Sequence, residues 1–157
     1  MKREMCQEMN EMKDAESESV LLYFMQKLND RSLMILKEGK PLLESQEEGM
    51  KPLLTALKSF GRTRLRGTVV VDKIIGKAAA LLIAYSEPRE VYCGTLSQRA
   101  ESVFRRHRLT YHAERIVPEI LCRTGDGLCP FEKAVQDSET PVKSYRALVL
   151  KVLSFGP

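Results

Sequence analysis

Two short segments of the chain hold residue types that can bind an anion or attack an electrophile. The first contains Asp72, Lys73, Gly76 and Lys77. These residues precede an alanine-rich stretch, and the free N–H groups and dipole of a helix N-terminus favour negative charge there. Lys73 or Lys77 would add a full positive charge. The segment is not a Walker phosphate-binding loop, because Val71 stands where that motif needs its first glycine.

The same residues also have a purely structural interpretation. Asp72 suits a helix N-cap, because its carboxylate can accept hydrogen bonds from the first turn. The alanines that follow Lys77 allow a helix to pack closely on a sheet, and the lysines would then simply be solvated. Residue types alone leave both interpretations open.

The second segment, residues 125–132, places a cysteine where its thiolate is favoured. Cys129 precedes Pro130, and proline suits the first position of a helix, so Cys129 is predicted to be the N-cap. A helix dipole lowers the pKa of a thiol in that position. Gly127 allows the backbone to approach a ligand closely, and Glu132 can reach back to the cap. The alternative is a small buried cysteine beside a capping glutamate.

The chain has few residues that could ligate a metal. It contains four cysteines, none of them in a CxxC pair, and two histidines. His112 and Glu114 form the His-x-Glu pattern of zinc deaminases, but the Pro-Cys-x-x-Cys segment that must supply two thiolates is missing. We therefore predict no metal site and no cofactor.

Composition indicates one globular domain with an aliphatic core. The chain has 157 residues, of which 43% are apolar and 6% aromatic, with no tryptophan. No apolar run reaches the roughly 18–20 residues that span a bilayer, and the first residues lack the apolar region of a signal peptide. These features predict a cytoplasmic protein with reduced cysteines and no membrane partner.

Charge permits a small anionic ligand. The net charge is +4, and because residues 1–18 carry three bases and six acids, the excess of bases lies in the remainder. The basic run at 105–108 has no interleaved aromatic residues to stack on bases. We predict a solvated helix end there rather than a nucleic-acid site.

The elements that must position these residues follow from hydrophobic periodicity. Residues 1–16 are predicted to be a polar N-terminal extension and residues 17–157 a single domain. Alternating strands and helices predict an α/β fold with three layers, α/β/α, around a mixed five-stranded sheet. Predicted helices cover about 17–29, 51–60, 72–82, 95–106, 117–122 (one short turn), 129 onward and 140–152, and predicted strands cover 32–37, 41–45, 67–71, 90–94 and 109–115.

Together the two segments resemble an uncharacterised bacterial family, the domain of unknown function 1893. The resemblance rests on Asp-Lys-x-x-Gly-Lys-Ala-Ala-Ala at 72–80 and Gly-x-Gly-x-Cys-Pro-x-Glu at 125–132, and it covers about residues 30–140. The family is similar in fold to cytidine deaminases, which implies a deaminase-like fold here. In zinc deaminases the two catalytic helices begin with His-x-Glu and Pro-Cys-x-x-Cys. The matched places hold Asp-Lys at 72–73 and Thr-Leu-Ser-Gln at 95–98, so the zinc mechanism is not implied.

The resemblance implies a pocket lined by Asp72, Lys73, Lys77 and Cys129. One hypothesis is a zinc-independent site for a nucleotide- or nucleobase-like anionic molecule. In it Cys129 is the nucleophile, a lysine binds the anion or lowers the thiol pKa, and Asp72 orients that lysine or acts as base. A second hypothesis is a binding module without catalysis. A third is a structural or homo-oligomerising domain in which the two segments only stabilise tight turns.

Overall fold

A computed structural model describes residues 2–121, 125 and 127–154. Cys122 and Asp126, which belong to two of the predicted segments, lie outside the described residues. The strands are β1 (Leu33–Lys37), β2 (Lys40–Ser45), β3 (Val69–Ile75), β4 (Glu90–Ser97) and β5 (Thr110–Val117). The helices are α1 (Lys2–Leu28), α2 (Lys51–Leu65), α3 (Lys77–Ser86), α4 (Gln98–Arg106), α5 (Pro130–Ala134) and α6 (Pro141–Ser154).

The five strands form one mixed sheet in the order β2-β1-β3-β4-β5. β1 pairs antiparallel with both β2 and β3, whereas β3, β4 and β5 run parallel to one another. The predicted α/β class and the mixed five-stranded sheet are therefore confirmed. Because α3 and α4 follow parallel neighbouring strands, both helices begin at the same edge of the sheet.

Apolar side chains cover both faces of the sheet, because successive residues of a strand point to opposite sides. On one face Ile35, Val70 and Val91 belong to the larger core, which also contains residues of α2, α3, α4 and α6. On the other face Val71 and Tyr92 pack with side chains of α1. α3 lies inside the larger core, and all of its residues from 78 to 84 are buried. Its N-terminal N–H groups must therefore find partners within the protein.

The strand β3 and the helix after it differ from the prediction. The helix begins at Lys77 with Gly76 as N-cap, so the prediction that Asp72 is the N-cap is wrong. The β-branched pair Ile74 and Ile75 extends the strand past the aspartate. Pairing with β4, in which Ile74 lies opposite Thr95 and Ile75 opposite Leu96, fixes that extension.

Other predicted boundaries also shift. α1 begins at Lys2 instead of residue 17, so residues 2–16 of the predicted polar extension are the first half of a continuous helix. α2 is interrupted at Gly61, whose φ of 74° ends the predicted helix before a further short turn. α4 has Ser97 as N-cap, and the Ser97 hydroxyl accepts a hydrogen bond from Ala100 N. The helical turn predicted at 117–122 is wrong in its described part, where Leu121 instead bridges Leu128.

Candidate functional site

Four of the predicted site residues come together at the start of α3. They are Gly76, Lys77, Cys129 and Glu132. The carboxylate of Glu132 accepts hydrogen bonds from the backbone N of Lys77 at 3.2 Å and from that of Ala78 at 2.8 Å. Glu132 lies on α5 and is 7% exposed. It therefore supplies, from a distant part of the sequence, the capping acceptor that the glycine N-cap of α3 lacks.

Gly76 is required by this close approach. A Cβ atom placed on Gly76 would lie 2.6 Å from Oε1 of Glu132, and the backbone φ of −92° is one that any residue adopts. The absence of a side chain, and not an unusual backbone conformation, is what this position demands.

Cys129 is the N-cap of α5, as predicted. Its sulfur accepts a hydrogen bond from the backbone N of Glu132 at 3.4 Å. The prediction that the Glu132 side chain reaches back to its own cap is wrong, because that carboxylate points to α3. Burial raises the pKa of Glu132, while the N–H donors of Ala78 and Lys77 and the charge of Arg99 act in the opposite direction.

Asp72 and Lys73 lie apart from this cluster, within β3. Asp72 is buried, pairs in register with Cys93 of β4, and accepts a hydrogen bond from Ile74 N at 3.2 Å. Burial raises the pKa of Asp72 to about 7. Burial, together with the negative charges of Asp72 and Glu114, raises the pKa of the Cys93 thiol to about 12. Lys73 is exposed.

Gly127 precedes α5 in a conformation that explains why a glycine stands there. Its φ is 120°, and that of Gly125 is 73°, a region of backbone conformation that residues with a Cβ rarely adopt. The turn into α5 accounts for both glycines without a bound ligand.

A cavity of about 230 Å³ opens beside the start of α3. One wall is α4, and the other is the segment between α5 and α6. We name it the basic cavity. It is lined by Lys77, Arg99, Ser102, Val103, Arg106, His107, Ser138 and Glu139.

The cations of the basic cavity have partners near the surface. Lys77 Nζ donates to the carbonyl oxygen of Gln136 at 2.8 Å, and Arg99 pairs with Glu119 at 3.0 Å. Arg106 pairs with Glu139, whose side chain is 67% exposed. Exposed pairs of this kind contribute only about 0–1 kcal/mol each. An incoming anion can therefore replace these carboxylates at little cost.

His107 ends α4 and also lines the basic cavity. Its Nε2 atom is buried and has no hydrogen-bond partner within the part of the chain that the structure describes. Buried polar atoms are nearly always paired, with protein, water or ligand. A polar ligand atom in the cavity is one group that would satisfy it.

A second, wider cavity of about 570 Å³ adjoins the first. Arg99 and Ser102 line both, so the two cavities are neighbours along one face of α4. The second cavity is lined by Gln98, Arg99, Ser102, Pro118, Glu119 and Leu121.

The sequence prediction missed the contribution of α4. Arg99, Ser102 and Arg106 recur at i, i+3 and i+7, which places them on one face of a helix. That helix begins at the carboxyl end of a parallel strand, where open α/β folds bind ligands. This spacing is a usable signal, whereas the basic run that contains Arg106 by itself predicts only a solvated helix end.

The described residues do not fit a zinc site at the two helix starts. Gly76, Lys77 and Ala78 open α3, and Ser97 and Gln98 open α4, so these positions offer no thiol and no imidazole. Across the described ranges, no group of three or more His, Cys, Asp or Glu residues is placed to hold a metal ion. Among the described helices, none combines the length and apolar character needed to cross a membrane.

Comparison with known proteins identifies relatives over most of the chain. A family model described as "Domain of unknown function (DUF1893)" matches residues 23–151. The crystal structure of a DUF1893 family protein from Thermotoga maritima is similar, with a TM-score of 0.74 and 30% sequence identity. That similarity covers 85% of this chain and 88% of the other. No curated protein matches the chain.

Proposed function

The chain belongs to the DUF1893 family, and from that premise we propose that it is a binding protein for a small, anionic, nucleotide-like molecule. The basic cavity is the observation that carries this proposal. Lys77, Arg99 and Arg106 line it together. Lys77 and Arg99 also stand at the N-termini of α3 and α4. The dipole of α4 adds positive potential, whereas the Glu132 carboxylate already bonds to the first N–H groups of α3.

Phosphate is the anion that these side chains suit best. The guanidinium groups of Arg99 and Arg106 can each donate two parallel hydrogen bonds to a phosphate. The hydroxyl groups of Ser102 and Ser138 can donate as well. The unpaired Nε2 of His107 is a further candidate contact.

The second cavity supports a nucleotide over a bare phosphate. Pro118 and Leu121 give it apolar surface, and the amide of Gln98 can both donate to and accept from the edge of a base. Because Arg99 lies in the wall of both cavities, one nucleoside monophosphate can span them. Its phosphate would occupy the basic cavity and its base the wider one.

Binding without catalysis agrees best with the geometry. Cys129 is not among the residues that line either cavity, and its sulfur already accepts the N–H of Glu132. Asp72, the proposed base, is buried in β3. A nucleophile and its base must both reach the reacting atom. Catalysis through Cys129 stays a prediction, and faster alkylation of the partly buried Cys129 by iodoacetamide than of the exposed Cys6 would support it.

We also propose that the fold is deaminase-like and that the site works without zinc. Two features support this. α3 and α4 begin at one edge of the sheet, and by order of elements they match the two catalytic helices of the resembled fold. Arg99 at the start of α4 lies close enough to Glu132, the cap of α3, to influence its pKa. The Glu132 carboxylate and the cations of Lys77 and Arg99 thus lie at the two helix starts, where a zinc site would need its metal ligands.

The test is binding of nucleoside monophosphates, free nucleosides and inorganic phosphate, measured by calorimetry and by the shift in melting temperature. We expect a nucleoside monophosphate to bind more tightly than either of its parts. Arg106→Gln should weaken that binding about tenfold or more, through loss of a charge-assisted, bidentate contact.

Arg105→Gln is the matched control. Arg105 is the neighbouring residue on α4, pairs with Glu101, and does not line the basic cavity. Equal weakening by both variants would indicate general charge attraction and not a site. If no molecule of the panel binds, the proposal is wrong.

A further inference from the structure

The first half of α1 carries no buried side chain among the residues that the structure describes. Every residue from 3 to 16 is exposed, whereas in the second half Leu28 is buried in the smaller core and Phe24 packs against that core. A helix of about 12–15 residues without tertiary packing is marginal in water. This first half would be strongly stabilised by a partner helix.

An apolar stripe runs along the first half of α1. Met5, Met9 and Met12 are 60%, 55% and 73% exposed. At 100° per residue, these three positions and that of Tyr23 fall within about 60° of the helix circumference. The spacing is that of a coiled coil, with Met9 and Tyr23 at a positions and Met5 and Met12 at d positions. We name these four residues the methionine stripe.

Charged residues beside the stripe select the orientation of a partner helix. Glu8 occupies a g position and Lys13 the following e position. In a parallel pair of identical helices, each g residue faces the next e residue of the partner, so Glu8 meets Lys13 twice by symmetry. In an antiparallel pair g faces g and e faces e, so Glu8 and Lys13 do not face each other and this attraction is lost. Charge complementarity therefore favours a parallel pair.

We propose that the methionine stripe is a self-association surface through which two copies of this chain form a parallel helical dimer. α1 covers the face of the sheet opposite α3 and α4, so the surface is separate from the two cavities. Glu16 and Ser19 interrupt the apolar seam at the next a and d positions. The dimer is therefore short and readily reversible.

The first test is sedimentation equilibrium of the full chain over a range of concentrations. Met9→Lys places a charge in the centre of the stripe and should raise the dimer dissociation constant at least about tenfold. Gln7→Lys adds the same charge at an f position, which faces away from the partner, and should leave the constant unchanged. Circular dichroism shows whether each variant keeps its helix content.

A chain that stays monomeric at every concentration would overturn the proposal. So would a dimer that Met9→Lys does not weaken. A monomer whose stripe binds vesicles of anionic lipid, with loss of binding in Met9→Lys, would assign the surface to a membrane instead of a second copy.

The second test concerns orientation. Glu8→Lys alone and Lys13→Glu alone should each weaken the dimer, because each brings like charges together. The double variant should restore wild-type dissociation, since the exchanged charges meet again across a parallel pair. An antiparallel pair offers no such restoration, so a double variant as weak as the singles would contradict the parallel arrangement.

Discussion

At the scale of single residues, Asp72 shows how burial changes the pKa of a side chain that the sequence analysis proposes as a base. It lies within a strand beside apolar residues, and burial raises its pKa to about 7 although the N–H of Ile74 donates to it. Ionising this carboxyl costs more in the folded chain than in the unfolded chain. The folded state is therefore destabilised at pH values above the pKa of Asp72 in the unfolded chain.

Because the pKa of Asp72 is raised, its contribution to the free energy of unfolding decreases as pH rises. The contribution of Asp72 to stability is fully present below its unfolded pKa of about 4 and is lost as pH rises towards 7, by an amount on the order of 3–5 kcal/mol. We expect Asp72→Asn to remove most of this decline, because an amide stays neutral and its oxygen can still accept from Ile74 N. Urea unfolding across this pH range measures the effect.

Asp137→Asn is the control for that experiment, because Asp137 is exposed. Its stability profile should follow the wild type. A profile for Asp72→Asn that runs parallel to the wild type at all pH values would show that Asp72 is not the cause.

At the scale of elements, the link between α5 and α3 depends on one carboxylate and one glycine. α3 is surrounded by the core, and its first N–H groups bond to Glu132 instead of water. A buried N–H left without an acceptor costs about 1–3 kcal/mol. The hydrogen bonds from the first N–H groups of α3 to Glu132 therefore hold the short α5 in place.

A double-mutant cycle tests this link. Gly76→Ala should cost about 1–3 kcal/mol in the wild-type background, because the added Cβ displaces the Glu132 carboxylate from its two N–H donors. In a Glu132→Ala background the same change should cost little, since the carboxylate is gone. The free energies of unfolding of the wild type, the two single variants and the double variant, measured in urea, complete the cycle. Additive costs would mean that the two residues do not interact.

At the scale of the whole molecule, the two faces of the sheet are covered unequally. The larger core contains residues of four helices, while the smaller one is closed by side chains from the second half of α1. Phe24 packs there on Tyr92, with ring centroids 4.7 Å apart. One helix thus protects this face from water.

We expect Phe24→Ala to lower the free energy of unfolding by about 2–4 kcal/mol, because it removes half-buried aromatic surface and leaves a gap under α1. Leu22→Ala, on the exposed side of the same helix, should change it by less than about 1 kcal/mol. Chemical denaturation compares them. Equal small effects would show that α1 contributes little to the stability of the sheet.

The sequence predicted the features that depend on near neighbours. The mixed sheet, the glycine that interrupts α2 at residue 61 and the N-cap at Cys129 were all predicted correctly. The alternation of strands and helices, the positive φ of a glycine and the preference of proline for the first helical position each depend on only a few neighbouring residues. The prediction failed at Asp72 because a single polar residue after three valines suits a cap as well as a strand, and only pairing with β1 and β4 decides.

Local patterns in the sequence were thus enough to predict the class of fold, the scarcity of metal ligands and the two segments that carry unusual residue types. Which of those residues meet depends on how distant segments pack together. The tertiary structure separates Asp72 and Lys73 from Lys77, joins Gly76 to Glu132, and adds Arg99 and Arg106 of α4 to a basic cavity. The reason is physical. Capping and periodicity are local, whereas a carboxylate that caps a helix 54 residues away depends on packing that no short window of sequence contains.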